Sequence, residues 1–190
     1  MLYRNRCGKV NLKVLAILIV VVVALGASLF AARQVHRNII SKTSLEAGQA
    51  AFAQQDWPVA SKQFRQYLNR NPDDLEILRK YAQSCLAIRP LDAQAVSGAI
   101  AAYRRILQMD PQDAVAYEKL AMLYGGIGNY EELGVIARQR LERAPDDRKA
   151  PLWLADALIR QNKKPEAQQV LAKFLAAIGK YVENPLLLLL

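Results

Sequence analysis

The sequence has very few of the residues that build metal sites and covalent catalytic sites. Its only histidine is His36, and its two cysteines, Cys7 and Cys85, lie far apart along the chain. Two isolated thiols form neither a metal-ligand pair nor a disulfide framework, and we expect Cys85 to be a small core residue. There is also no glycine-rich phosphate loop and no Ser-His-Asp set. We therefore predict no catalytic residue, no metal, no cofactor and no small-molecule substrate: this stretch of chain is not an enzyme.

Acidic residues are missing from residues 1–43, which contain seven of the 26 Lys and Arg residues. From Ser44 onward, 19 basic residues accompany 17 acidic ones, so the formal charge of +9 falls to +2 for that part of the chain. A domain that binds nucleic acid needs a basic face, and the composition shows none after residue 43. We expect no nucleic-acid partner.

One long run lacks charge altogether. Residues 14–32, VLAILIVVVVALGASLFAA, would span about 28 Å as a helix, close to the roughly 30 Å hydrocarbon core of a bilayer. We predict a transmembrane helix there, between a basic tail at residues 1–13 and a juxtamembrane linker at 33–43. The alternative is a cleaved signal peptide, because Ala24 and Gly26 are small residues of the kind that precede a cleavage site. The apolar run continues past that point to Ala32, which favours the uncleaved anchor.

The basic residues around this run predict its orientation. Four of them precede the run and three follow it, and an excess of Lys and Arg marks the cytoplasmic side of a membrane helix. We expect a single-pass membrane protein, in a bacterial inner membrane, with its amino terminus cytoplasmic and its large domain extracytoplasmic. The bilayer would then be a partner through residues 14–32.

A Pro-x-Asp stretch returns three times after the anchor. Pro72, Pro111 and Pro145 stand 39 and 34 residues apart, and each is followed two places on by an aspartate: Asp74, Asp113 and Asp147. Proline ends a helix because it pushes the preceding residue out of the α region, and aspartate caps the helix that follows. The predicted hinges divide an all-α domain at 44–179 into repeats at about 41–74, 75–113, 114–147 and 148–179.

Sparse glycine and proline, and no alternation of period two, predict two helices in each repeat. We predict helix pairs at 44–54 and 58–70, 75–88 and 93–108, 115–124 and 130–142, and 150–161 and 165–178. The second pair contains a turn lengthened by five residues around Pro90. We expect Gly48 to lie where its helix approaches a neighbour closely, with Ala60 and Phe64 packing back against it.

The repeats resemble the tetratricopeptide repeat (TPR) family. The third repeat has the family's aromatic and small residues at Tyr117, Leu120-Ala121, Tyr124, Gly128 and Tyr130, and the first has them at Ala60, Phe64 and Pro72. Leu133 and Ala137 depart from the pattern in the third repeat, and Gly179 replaces the closing proline of the fourth. The resemblance implies an α-solenoid, a superhelix of antiparallel helix pairs whose first helices line a groove that binds a protein or peptide ligand.

The repeat pattern selects the side chains that would face this groove. They are cations, amides, apolar residues and one acid, and we expect them to meet an extended acidic or mixed peptide. The predicted groove residues are Gln49, Phe52, Arg79, Lys80, Gln83, Lys119, Met122, Trp153, Asp156 and Arg160. The carboxylate clamp of chaperone-binding TPR proteins is absent, because two of its five matching positions are the apolar residues Leu45 and Val115.

Residues 180–190 end in NPLLLLL, and a proline before an apolar run predicts the start of a further, truncated repeat. The expected function is that of a membrane-anchored TPR scaffold for protein–protein interactions, in cell-envelope assembly or complex organisation. Two alternatives stay open. The chain could be the anchor and regulatory array of a larger, truncated enzyme such as an envelope-modifying transferase, or a secreted TPR protein after signal-peptide cleavage.

Overall fold

The computed structural model describes residues 41–183, and side chains as far as residue 178. This part of the chain contains eight helices and no strand, as the all-α prediction required. Their bounds lie within five residues of the predicted ones. The helices are α1 (41–53), α2 (Trp57–Leu68), α3 (Leu75–Ala87), α4 (Ala93–Met109), α5 (Ala114–Gly126), α6 (Tyr130–Arg143), α7 (Ala150–Arg160) and α8 (Lys164–Glu183).

The predicted transmembrane helix at 14–32 lies outside the described residues, as do the basic tail, most of the linker and residues 184–190. Among the helices between residues 41 and 183, none is both long enough and apolar enough to cross a membrane.

Polar side chains begin most of these helices. Asp56, Asp92 and Asn129 precede the second helices of the first three pairs, and each accepts a hydrogen bond from the backbone N–H three residues later. Two of the hinge aspartates do the same for first helices: Asp74 accepts from Ile77 at 3.1 Å and Asp113 from Ala116 at 2.9 Å. The predicted caps are confirmed at these two hinges.

At the third hinge the aspartate lies two residues further from the start of the helix that follows. Helix α7 begins at Ala150, and its N-cap residue Lys149 makes no side-chain cap. Asp147 instead accepts from the backbone N–H groups of Lys149 and Ala150, at 2.8 and 3.0 Å. The carboxylate therefore stabilises the turn that leads into α7.

Each helix from α2 to α8 packs mainly against the helices directly before and after it in the chain. A single pair cannot bury both of its faces, so stacking neighbours provides the core of such an array. Most buried side chains form one apolar cluster that runs from α1 to α6 and includes Ala157 of α7, and a second surrounds Ala137, Leu154 and Leu158. Cys85 is buried in the first cluster, as predicted.

Small residues set the distance between paired helices. Gly48 on α1 is buried, and a methyl group added to it would lie 2.8 Å from two ring carbons of Phe64 on α2. Ala60 and Phe64 are fully buried, which confirms the predicted close approach. Ala99 and Tyr103 occupy the matching buried positions on α4, so the lengthened turn between α3 and α4 leaves the packing of the second pair unchanged.

Candidate binding groove

We call the face that the first helices α1, α3, α5 and α7 are predicted to form the first-helix groove. A cavity of about 350 Å³ lies between α5 and α7, and we call it the α5–α7 pocket. Met122 is 55% exposed at its edge, whereas Trp153 is half-buried and packs against both core clusters. The pocket is lined by Glu118, Lys119, Ala121, Met122, Gly125, Gly126, Leu133, Lys149, Trp153 and Asp156.

The charges of the α5–α7 pocket balance one another. It contains two lysines, Lys119 and Lys149, and two carboxylates, Glu118 and Asp156. The Lys149 ammonium lies 2.6 Å from the Glu118 carboxylate and so joins the start of the fourth repeat to α5. The pocket is therefore an apolar cavity with a neutral polar edge.

The structure brings four of the ten predicted groove residues together in this pocket: Lys119, Met122, Trp153 and Asp156. Gln49 and Gln83 are exposed on α1 and α3, away from it. Phe52 is half-buried, and its ring lies edge-on to Trp57 with centroids 5.4 Å apart. Phe52 therefore contributes to the packing of the first helix pair.

Most of the predicted groove cations already have acidic partners. Lys80 pairs with Glu76 at 2.7 Å, one helical turn away. Arg160 lies 3.5 Å from Asp156 and over the ring of Tyr130. In the part of the chain that the structure describes, Lys119 is the one predicted groove cation without an ion pair.

Arg79 lies in a hinge. Its guanidinium pairs with the buried carboxylate of Asp113, the residue that caps α5. Asp113 is 7% exposed, so this contact supplies the counter-charge of a buried acid. Arg79 therefore links the second repeat to the third.

The other two hinge aspartates are held by a residue seven places earlier, on the preceding second helix. Tyr67 donates its hydroxyl hydrogen to Asp74 at 2.9 Å, and Arg140 donates to Asp147 at 2.6 Å. The matching position before Asp113 is the fully buried Ile106, which explains why that hinge takes its cation from α3.

The contacts at the third hinge stabilise the ionised form of Asp147. Burial on its own would raise the pKa of Asp147, but hydrogen bonds from Arg140 and from two backbone N–H groups outweigh it, and the pKa falls below its usual value. Burial raises the pKa of Tyr67, and its bond to Asp74 raises that pKa further. The repeated acidic clusters are thus hinge elements of the fold.

Sequence reasoning missed six pocket residues: Glu118, Ala121, Gly125, Gly126, Leu133 and Lys149. Lys149 could have been found, because it follows Val115 by one repeat of 34 residues. It lies just before residue 150, where the first helix of the fourth repeat is predicted to begin. Glu118 could not have been found from the sequence, because its position in the pocket depends on the rotation of α5 against α7.

Three or more His, Cys, Asp or Glu side chains do not cluster as metal ligands anywhere between residues 41 and 178. Cys85, the cysteine in this part of the chain, is buried, and burial raises the pKa of its thiol. The statement that this stretch of chain is not an enzyme stays a prediction from the sequence.

Comparison with known proteins agrees with the repeat pattern. The tetratricopeptide repeat family matches residues 45–114, from α1 to the first residue of α5. A crystal structure of MamA is similar at a TM-score of 0.55 and 17% identity, covering 75% of this chain and 81% of that one. MamA AMB-1 in the P212121 form has a TM-score of 0.56 and 14% identity over 72% of each chain. No curated protein matches this chain. The predicted α-solenoid fold is confirmed, and at these identities the likeness concerns the fold alone.

Proposed function

We propose that this chain is a membrane-anchored scaffold that holds a partner protein in its first-helix groove. The match to the tetratricopeptide repeat family and the solenoid fold support an interaction role. The observation that carries the proposal is the α5–α7 pocket, where Met122 and Trp153 offer apolar surface beside a neutral polar edge. Large aromatic residues in such pockets supply much of the energy of protein interfaces.

The chemistry of the pocket indicates which part of the partner enters it. An apolar cavity without net charge favours an apolar side chain, because a carboxylate would lose its hydration and find no surplus cation. Lys119 alone can steer an acidic neighbour of that side chain. The partner segment is therefore an extended peptide with an apolar anchor and few charges.

The anchor completes the proposal. The uncharged run at 14–32 and its basic flanks support a single membrane span, with the amino terminus cytoplasmic and the array extracytoplasmic in a bacterial inner membrane. A scaffold fixed in this way would gather partners for cell-envelope assembly or complex organisation.

A photo-crosslinking amino acid in place of Asp156, in the full chain in its native membrane, tests the groove. We expect a discrete adduct with a partner protein. Adding Met122→Glu should reduce its yield by roughly tenfold, because it places a charge over the apolar floor. Met122 is exposed, so this change leaves the core intact.

Met109→Glu is the matched control, since Met109 is exposed at the end of α4, outside the pocket. It should leave the adduct unchanged. If no adduct forms at position 156, or if both glutamate variants reduce it equally, the pocket does not hold the partner.

A further inference from the structure

Three arginines occupy equivalent places on successive second helices. Arg65, Arg104 and Arg138 each directly follow the residue that fills the same buried position of its repeat: Phe64, Tyr103 and Ala137. All three arginines are exposed. None of them forms an ion pair with another residue of the described chain. The α5–α7 pocket, whose charges balance, shows a different arrangement.

Two of these arginines line cavities of the same construction, away from the first-helix groove. The first outer cleft, of about 230 Å³, lies between α2, α3 and α4, and contains Arg65 with Pro58, Cys85 and Ile88. The second outer cleft, of about 650 Å³, lies between α4, α5 and α6 and contains the equivalent residues Arg104, Ser97, Tyr124 and Ile127. The repeat therefore builds the same recess twice.

The first outer cleft carries a positive charge. It contains Lys62 and Arg65 but a single acid, Asp92. The carboxylate of Asp92 accepts a hydrogen bond from the backbone N–H of Ala95 at 2.6 Å, as the cap of α4. The Arg65 guanidinium therefore faces solvent without a counter-charge of its own.

The second outer cleft also contains two cations and one acid. Its cations are Arg104 and Arg105, and its acid is Glu132. Arg105 is engaged by Asp73 across the hinge, and Glu132 lies beyond ion-pair distance of Arg104. The Tyr124 hydroxyl is buried, and the nearby Arg104 guanidinium offsets part of the rise in its pKa that burial causes. Arg104 thus lies beside a buried hydroxyl and has no carboxylate partner within the described residues.

We propose that the two outer clefts bind carboxylate side chains of an acidic protein segment, with Arg65 holding one and Arg104 the other. A guanidinium presents a planar set of donors that matches a carboxylate with two parallel hydrogen bonds. Both groups line recesses between helices, which an extended chain can enter with its side chains and a flat bilayer surface cannot. This site is separate from the groove, so the array holds an acidic partner on its outer side and an apolar one in the α5–α7 pocket.

A fluorescein-labelled peptide of ten glutamates, added to the full-length chain in a non-ionic detergent, tests the site by fluorescence anisotropy. We expect binding that weakens as salt is added, and no binding of the matching peptide of ten glutamines. Arg65→Gln and Arg104→Gln together should raise Kd by roughly tenfold for each arginine removed.

Lys164→Gln with Lys173→Gln is the matched control, because it removes the same charge from exposed positions on α8, outside both outer clefts and the α5–α7 pocket. It should change Kd by less than about twofold, since long-range charge is screened at physiological salt. Thermal unfolding of each variant by circular dichroism confirms that the exposed substitutions leave the fold intact.

Three outcomes overturn the proposal. Equal loss in the two double variants would mean that the peptide senses only net charge. Failure of the glutamate peptide to bind would remove the site. Water-soluble dihexanoyl-phosphatidylglycerol binding at the two arginines, with no peptide binding, would assign the face to lipid headgroups.

Discussion

Because Gly48 has no side chain, α1 and α2 can approach each other closely. An added methyl group would meet the Phe64 ring at 2.8 Å, and that ring is fully buried. Overpacking of this kind costs about 1–3 kcal/mol, which exceeds the gain of up to about 1 kcal/mol from replacing glycine in a helix. We expect Gly48→Ala to lower the free energy of unfolding, measured by denaturant titration.

Gly126 provides the comparison. It is the last residue of α5, and a methyl group placed there would meet no atom within 4 Å. Gly126→Ala should therefore leave the unfolding free energy unchanged or raise it slightly. A Gly48→Ala variant as stable as Gly126→Ala would show that α1 and α2 are not held at their observed distance.

At the scale of the helix, two adjacent cations on α3 have different roles. Arg79 neutralises the buried carboxylate of Asp113, and Lys80 makes an exposed pair with Glu76 one turn away. Removing Arg79 leaves a buried charged acceptor without its partner, which costs about 1–3 kcal/mol, whereas a surface pair of this kind contributes about 0.3–0.5 kcal/mol. We expect Arg79→Ala to destabilise the array several times more than Lys80→Ala in denaturant unfolding.

Equal losses from the two substitutions would contradict the assignment of Arg79 to the hinge. Asp113→Asn in the Arg79→Ala background is a further test, because it removes the carboxylate charge that Arg79→Ala leaves without a partner. This second change should restore part of the lost stability.

At the scale of the whole molecule, the predicted anchor determines where the array is placed. We expect the full chain to remain in the membrane pellet after extraction with alkaline carbonate, and a chain lacking residues 1–43 to be released. The full chain should resist extraction, because moving the 19-residue uncharged run from lipid into water is unfavourable. Intact-mass measurement of the recovered full chain separates the two interpretations of the run. Loss of residues 1–26 would indicate a cleaved signal peptide and a secreted array.

The fold was predictable from the sequence because its signals act locally. Proline and aspartate at the hinges end one helix and cap the next within a few residues, so Pro72 and Asp74 identify the boundary without any knowledge of packing. The positions of Ala60 and Phe64 then follow from the repeat.

The groove was predictable only in part, because its members depend on rotations of about 100° per residue along each helix. Arg79 and Lys80 are neighbours in sequence, and both were predicted to face the groove. Only the packed structure shows that Arg79 reaches Asp113 and that Lys149 reaches Glu118. Long flexible side chains choose partners across repeats, which a periodic pattern cannot specify.

The lengthened turn between α3 and α4 has a practical consequence. Despite its five additional residues, Ala99 and Tyr103 are buried like Ala60 and Phe64 in the preceding pair, and Pro90 and Leu91 at the centre of the turn are exposed. The turn therefore tolerates a change of length that leaves the buried positions of α4 in place. A fluorescent reporter or an affinity tag inserted between Pro90 and Leu91 would therefore travel with the array while the α5–α7 pocket stays accessible.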